Sequence, residues 1–260
     1  MAVPESSPER YWDEKARKSG GDPLLAACID DPIANRGIDG VQQVLARAAL
    51  EQVQRRRSTR GGRALDHGCG SGRWFPLLTA WGWICSGVDV SAEMLAIAHR
   101  LHPALELRKG DGLQLPFPDA SFDLVWSFAV LHHNTYARQE TMLREMERVL
   151  RRGGCLVMFE GLGARVEDDP LYHPRPLPEW IAAGEALGLH GLWQRTGRYA
   201  VLDAALGRFG PLRTERAPRF WRAAVNRIDA VVDPHLQRLI PAQYCTRAAM
   251  LFEKPGGRAT

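Results

Sequence analysis

From Arg63 onward, short apolar runs alternate with stretches of helical periodicity. Ala64-Leu65-Asp66, Ile84–Val90, Leu105–Lys109, Phe122–Phe128 and Cys155–Phe159 read as strands. The intervening Arg73–Trp81 reads as a helix ended by Gly82. The next helix follows Ser91, a residue able to N-cap it, and carries Glu93 in its first turn, where the macrodipole favours an acid. Arg138–Leu150 places Met142, Leu143, Met146, Val149 and Leu150 on one face, with Gly153-Gly154 ending it. Pro178–Leu187 is a further predicted helix, with proline near its first turn and Gly188 just past its end.

Such alternation implies an α/β chain with a parallel sheet covered by helices on both faces. A continuous run such as Leu156–Phe159 suits a strand buried on both sides. In folds of this kind ligands bind beyond the carboxyl ends of the strands, near the point where strand order reverses. Ahead of the alternation, Val41, Val44, Leu45, Ala48, Ala49 and Val53 follow helical spacing. Residues 1–60 therefore read as a helical cap, set off by Gly61-Gly62.

The 260 residues are 45% hydrophobic and 25% charged, as in an ordinary soluble domain. No apolar stretch approaches the ~20 residues of a membrane-spanning helix, and the N-terminus lacks the basic start and apolar core of a signal peptide. The five cysteines, Cys28, Cys69, Cys85, Cys155 and Cys245, form no CxxC pair. That argues against a disulfide framework or zinc site and for a reducing, cytoplasmic setting. The eight histidines show no HxxxH or HExxH pattern, so no metal is expected. Only four of the 34 basic residues are lysine, and the net charge is +4. The arginines are spread along the chain, which reads as compositional bias rather than a phosphate-binding face, so no nucleic-acid partner is expected.

The candidate chemistry sits at the strand ends. The first strand runs into Asp66-His67-Gly68-Cys69-Gly70-Ser71-Gly72. Glycines at every second position let the backbone turn tightly and approach a ligand, and the following helix offers free N–H groups. The spacing is not a dinucleotide GxGxxG, because Arg73 and Phe75 stand where glycine is needed, and no GxxxxGK[ST] phosphate loop occurs. An NAD-dependent oxidoreductase fails on this point. The second strand ends at Asp89, where an acid can accept both hydroxyls of a ribose. The third ends in Gly110-Asp111-Gly112, and both acids could instead be turn residues. The fourth strand continues into Ala129-Val130-Leu131-His132-His133, and Arg148–Gly154 precedes the fifth.

As an ordered set, Arg63 to Phe159 resembles the class I S-adenosylmethionine-dependent methyltransferases, and within them the small-molecule enzymes of the ubiquinone and menaquinone methyltransferase type. The resemblance implies a Rossmann-like, doubly wound sheet of seven strands, mostly parallel with the last antiparallel. Leu192–Tyr199 and Tyr244–Glu253 would be its closing hairpin. The cofactor-binding core would then be 61–200 and 241–256, with 201–240 a helical insertion. There Phe220, Ala224, Ile228, Val231 and Val232 follow helical spacing.

The resemblance also implies residue roles. Gly68, Gly70 and Gly72 would line the methionine part of the cofactor, with Asp66 holding the loop or the amino group. Asp89 would bind the ribose hydroxyls, and Val90 and Met94 would pack on the adenine. Asp111 and the Gly112 backbone would meet its amino edge, and Phe128 would lie near the methylsulfonium. Tyr11 looks like the aromatic residue that closes over the cofactor, or is a packing anchor. Asp123 falls inside the fourth strand and reads as a brace.

His132 and His133 are candidate general bases, because a neutral imidazole can take a proton at neutral pH. They could equally fix the loop by hydrogen bonds, and Glu160 is a second candidate. The acceptor expected is a small metabolite of the natural-product or lipid-like kind, bound partly by the insertion, with Arg175, Tyr199, His235 and Tyr244 as polar contacts. A monomer or homodimer is expected. The alternatives are an RNA or protein methyltransferase, and a non-catalytic partner subunit of the same fold.

Overall fold

The computed structural model describes residues 7–23, 32–57, 61–166, 168–169, 171–197 and 246–256. Helices α1 (Pro8–Lys18) and α2 (Pro32–Arg56) precede β1 (Gly62–His67). Then come α3 (Phe75–Ala80), β2 (Trp83–Asp89), α4 (Ala92–Leu101), β3 (Glu106–Lys109) and β4 (Phe122–Phe128). A 3₁₀ turn, Leu131–His133, leads to α5 (Tyr136–Val149), β5 (Leu150–Gly161), α6 (Leu177–Glu185), β6 (His190–Gly197) and β7 (Arg247–Glu253).

The strands form one seven-stranded sheet in the order β3-β2-β1-β4-β5-β7-β6. Every pair from β3 to β5 is parallel, and β7 runs antiparallel to both β5 and β6. This is the Rossmann-like sheet with an antiparallel last strand that the alternation and the resemblance imply. The order reverses between β1 and β4, so their carboxyl ends diverge into loops on opposite sides and open a crevice.

Sequence periodicity explains the layers. On one face Val41, Leu45, Ala49 and Val53 of α2 bury against Ala64, Leu124, Trp126, Val157 and Leu251. On the other, Met142, Leu143, Met146 and Val149 of α5 bury against Leu65, Val125, Leu156 and Met250. β4 is buried along its whole length, as a strand covered on both faces must be.

Among the boundaries that differ from the sequence reading, two bear on the sheet and the site. Gly153-Gly154 does not end α5. The helix stops at Val149, Leu150 is already extended, and the two glycines lie inside β5 beside a register shift against Phe122 and Leu124. There the Gly153 N–H donates to the Lys254 carbonyl, so pairing with the chain beyond β7 sets the boundary. Helix α3 starts at Phe75 rather than Arg73, with a proline in its first turn. The 201–240 insertion, with Tyr199, His235 and Tyr244, lies outside the described residues.

Asp123 is the brace its position implies. Its buried carboxylate accepts from Arg57 Nη2 at 2.8 Å and from the Arg63 N–H at 2.8 Å, and also meets Arg151. This ties the end of α2 to the central strands. Among the described residues no helix is long and apolar enough to cross a membrane.

Candidate functional site

Beyond the carboxyl ends of β1, β2 and β4 lies a cleft of about 1050 Å³, open mouth included. Its walls bring together Gly68, Gly70, Asp89, Val90, Met94, Asp111, Gly112, Phe128 and His133, which the sequence places far apart.

The turn after β1 is shaped by its glycines. Gly68 has φ +71° and Gly70 φ +51°, a left-handed region in which a side chain is strained. A Cβ on Gly68 would also sit 2.4 Å from Val130 Cγ2, whereas one on Gly70 would meet nothing within 4 Å, because Gly70 faces the cleft. Gly72 packs against His102 and Phe75 and is not among the lining residues.

Asp89 fastens this turn to β2. Its Oδ2 accepts the Gly70 N–H at 2.8 Å and its Oδ1 the Ser91 N–H at 2.9 Å. A carboxylate has about four lone-pair sites, so capacity remains for a ligand. Burial raises its pKa, against the opposing pull of those N–H groups. Asp66 lies behind the turn, not on the cleft wall, and neither of its buried oxygens has a hydrogen-bond partner among the described residues. Burial first, and then the charge of Asp89, push its pKa well above the usual carboxylate range.

Asp111 lies at the cleft's far end. It pairs with Arg138 of α5 at 3.6 Å and accepts the Leu113 N–H at 3.1 Å. Val90 and Met94 line the same end. Met94 is held by Ser91, whose hydroxyl accepts the Met94 N–H as the helix cap and donates to Asp13 at 2.5 Å. That second bond, with Arg17–Glu93 at 3.2 Å, docks α1 on α4.

The docking decides which N-terminal aromatic faces the cleft. Trp12 lines it and meets His133 edge-on, centroids 5.4 Å apart, while Tyr11 packs on Trp12 from outside the lining. At the opposite wall Phe128 packs against Trp74 at 4.2 Å and stacks on Phe159 at 4.1 Å. Ala129, the next residue, holds a left-handed φ of +61° at the cleft edge, a strained conformation for alanine.

The three candidate catalytic residues separate. His133 lines the cleft. Its Nδ1 lies 2.9 Å from the Leu171 carbonyl, so Nδ1 carries the hydrogen and Nε2 the lone pair. Burial and neighbouring His132 hold its pKa down at about 3, leaving the ring neutral. His132 and Glu160 lie behind the wall, almost wholly buried, with Nδ1 and Oε2 2.5 Å apart. Arg175 is also buried away from the cleft, bonded to Gln139 at 2.6 Å and to the Tyr136 carbonyl, so it braces the loop after β5.

The sequence reading missed Trp12, His67, Trp74, Asn134, Arg138 and Met142, all of which line the cleft. For Trp74 and Met142, position beside a recognised motif and on a predicted amphipathic helix is the available signal. For Arg138 it is α5's start at Tyr136, two residues earlier than the sequence reading has it.

Residues 65–158 match the family model described as "Methyltransferase domain". The chain carries a methyltransferase domain. Outside it the similarity thins. Over 107 residues the chain is 37% identical to a phosphatidylethanolamine N-methyltransferase of Cereibacter sphaeroides, covering 39% of this chain and 51% of that one. Over 125 residues it is 37% identical to a malonyl-[acyl-carrier protein] O-methyltransferase of Erwinia billingiae, covering 48% and 47%. The chain thus spans about half the length of these curated relatives. Among solved structures, phosphoethanolamine N-methyltransferase 2 of Haemonchus contortus, in complex with S-adenosyl-L-methionine, superposes with a TM-score of 0.54 at 22% identity. It covers 82% of this chain and 52% of that one. At that identity the likeness shows the fold. The domain's matched segment contributes the glycine turn, Asp89, Asp111, Phe128 and His133 to the cleft.

Proposed function

We propose that the chain binds S-adenosylmethionine in this cleft and transfers its methyl group to a small-molecule acceptor. The observation that carries the reading is the convergence of Gly68–Gly70, Asp89 and Asp111 on one cleft within a methyltransferase domain. The donor set fits such a ligand. Asp66 and Asp89 are buried close enough to raise Asp66's pKa by charge, and a cation beside the turn relieves what burial costs them. Asp89 retains acceptor capacity for hydroxyls, Asp111 is an exposed acceptor at the far end, and Val90 and Met94 offer an apolar wall between them.

When bound, S-adenosylmethionine supplies both the methyl group and its leaving group, so the bond from acceptor to carbon forms as the carbon–sulfur bond breaks and its electron pair stays on sulfur. The protein's contribution is positioning, which for well-oriented reactants amounts to roughly 7–11 kcal/mol. Phe128, Trp74 and Trp12 give the acceptor an apolar, water-poor wall. His133, neutral with its Nε2 lone pair, accepts a hydrogen bond from the acceptor and orients it. With a pKa near 3 it is a weak base. The reading therefore favours acceptors whose nucleophilic atom already offers a lone pair without a base, such as a carboxylate, or a neutral amine that releases its proton to solvent after transfer. An O, N or C nucleophile on a metabolite, natural product or lipid-like molecule remains the class to screen.

The test is incubation of the full chain with methyl-labelled cofactor and a panel of carboxylate, amine, phenol and lipid-like acceptors. Label transferred to at least one acceptor, and lost in His133→Ala more than in a surface control, supports the reading. Transfer to RNA or protein instead redirects it to those substrates.

A further inference from the structure

Behind the cleft wall the carboxyl of Glu160, at the end of β5, meets the ring of His132. Both side chains are shielded from solvent, at 0% and 2% exposure, and Oε2 lies 2.5 Å from Nδ1. The same carboxyl gathers the free N–H groups that open the 3₁₀ turn. Leu131 N–H donates to Oε1 at 3.1 Å and His132 N–H to Oε2 at 3.0 Å. On the ring's side, the Gly161 N–H donates to Nδ1 at 3.1 Å.

These contacts locate a proton. An oxygen and a nitrogen 2.5 Å apart cannot both present lone pairs, so a hydrogen lies between them. Were it bonded to Nδ1, the Gly161 N–H would point at another N–H. Bonded to Glu160, it leaves the one Nδ1 lone pair shared between the acid, at the shorter distance, and the Gly161 N–H, with the ring's own hydrogen on Nε2. Burial acts in the same direction on both groups. It raises Glu160 to about 7 against the pull of the N–H groups that the carboxyl accepts, and together with the charge of Arg247 it pushes His132 well below its usual value. The groups facing the pair are His133, its ring tilted against His132 at 4.3 Å, Tyr172, edge-on at 5.4 Å, and Arg247, which bonds the Tyr172 hydroxyl at 3.0 Å.

We infer that Glu160 and His132 form an uncharged acid–imidazole pair that positions the Val130–Asn134 turn, and that neither is the general base. The turn supplies Val130, His133 and Asn134 to the cleft, whereas neither member of the pair lines it. The pair also anchors the loop after β5, because the His132 carbonyl accepts the His173 N–H at 2.7 Å while His133 holds the Leu171 carbonyl. Strand, turn and loop are thereby joined at one buried contact. The inference uses the proposed methyl transfer for its activity readout alone; the proton's location does not depend on it.

The test combines spectroscopy and substitution on the full chain. Nitrogen NMR of histidine-labelled protein at pH 6 is expected to show His132 with hydrogen on Nε2 and a bare Nδ1. Infrared difference spectra between wild type and Glu160→Gln are expected to show the carbonyl band of a protonated carboxylic acid that the variant lacks. A His132 ring protonated at Nδ1, or absence of that band, overturns the inference. In turnover, Glu160→Gln, which can still donate to Nδ1 and accept one N–H, is expected to keep kcat within about threefold. Glu160→Ala strands buried donors and is expected to lose about tenfold or more in kcat, with the cofactor's KM nearly unchanged. Equal loss in both variants would make the ionised carboxylate the working form and would also overturn it. If no acceptor is ever methylated, the spectra still decide where the proton sits, and the failure belongs to the functional reading.

Discussion

Asp89 Oδ2 accepts the Gly70 N–H at 2.8 Å, so the acid ending β2 is bonded to the glycine turn that follows β1. One side chain therefore shapes the turn and faces the cleft. Asp89→Ala removes both effects. Hydrogen bonds to a charged group are each worth about 1.5–3 kcal/mol, and tenfold in affinity is about 1.4 kcal/mol. The variant is expected to bind S-adenosylhomocysteine at least about tenfold more weakly by calorimetry, while staying folded by circular dichroism. Equal affinities would remove Asp89 from the binding site.

Gly68→Ala tests the turn from the other side. Its Cβ would meet Val130 at 2.4 Å and force a side chain into φ +71°. The left-handed conformation alone costs about 1–2 kcal/mol. The expected result is a lower melting temperature and weaker S-adenosylhomocysteine binding together, because Val130 is itself a cleft wall. Gly70→Ala, with open space around its Cβ, is expected to cost strain without a clash and so to destabilise less.

The two adjacent histidines are expected to behave differently. His133→Asn lowers kcat by about tenfold, short of the 10²–10⁴-fold of an effective general base, and leaves S-adenosylhomocysteine affinity unchanged. Because its pKa lies near 3, no inflection from His133 is expected in the pH–rate profile between pH 6 and 8. His132→Ala acts through the fold, and its signature is a lowered melting temperature. A His133 inflection near neutrality would contradict the account of the ring.

Asp66 links the site to stability. Burial raises its folded-state pKa above the unfolded value, so it favours folding fully below the unfolded pKa of about 4. That contribution is lost as pH rises towards the raised folded value, because the unfolded chain releases the proton first. Asp66→Asn, which has no proton to release, is expected to gain on wild type as pH rises. Melting temperatures of the ligand-free proteins at pH 5 and pH 8 measure this. A variant-minus-wild-type difference that falls as pH rises would refute it.

Much of the fold was legible because its strands are buried on both faces and read as unbroken apolar runs, β4 most plainly. The glycine turn, Asp89 and Asp111 were legible because strand-end loops must carry a ligand site in this architecture. The remainder depends on tertiary docking. Tyr11 and Trp12 differ by one helical step, and the Asp13–Ser91 and Arg17–Glu93 contacts orient α1 so that Trp12 turns inward. Leu-His-His gives no sign of which ring is buried. That follows from Glu160, 28 residues beyond His132, reaching back to cap the turn. Gly153-Gly154 looked like a helix end because glycine also serves strand irregularities.

The account stands or falls on the ligand. Titration calorimetry of the full chain with S-adenosylhomocysteine is the most direct measurement. A single-site isotherm with micromolar affinity, weakened in Asp89→Ala, is the predicted result. A flat isotherm for folded wild-type protein would contradict it.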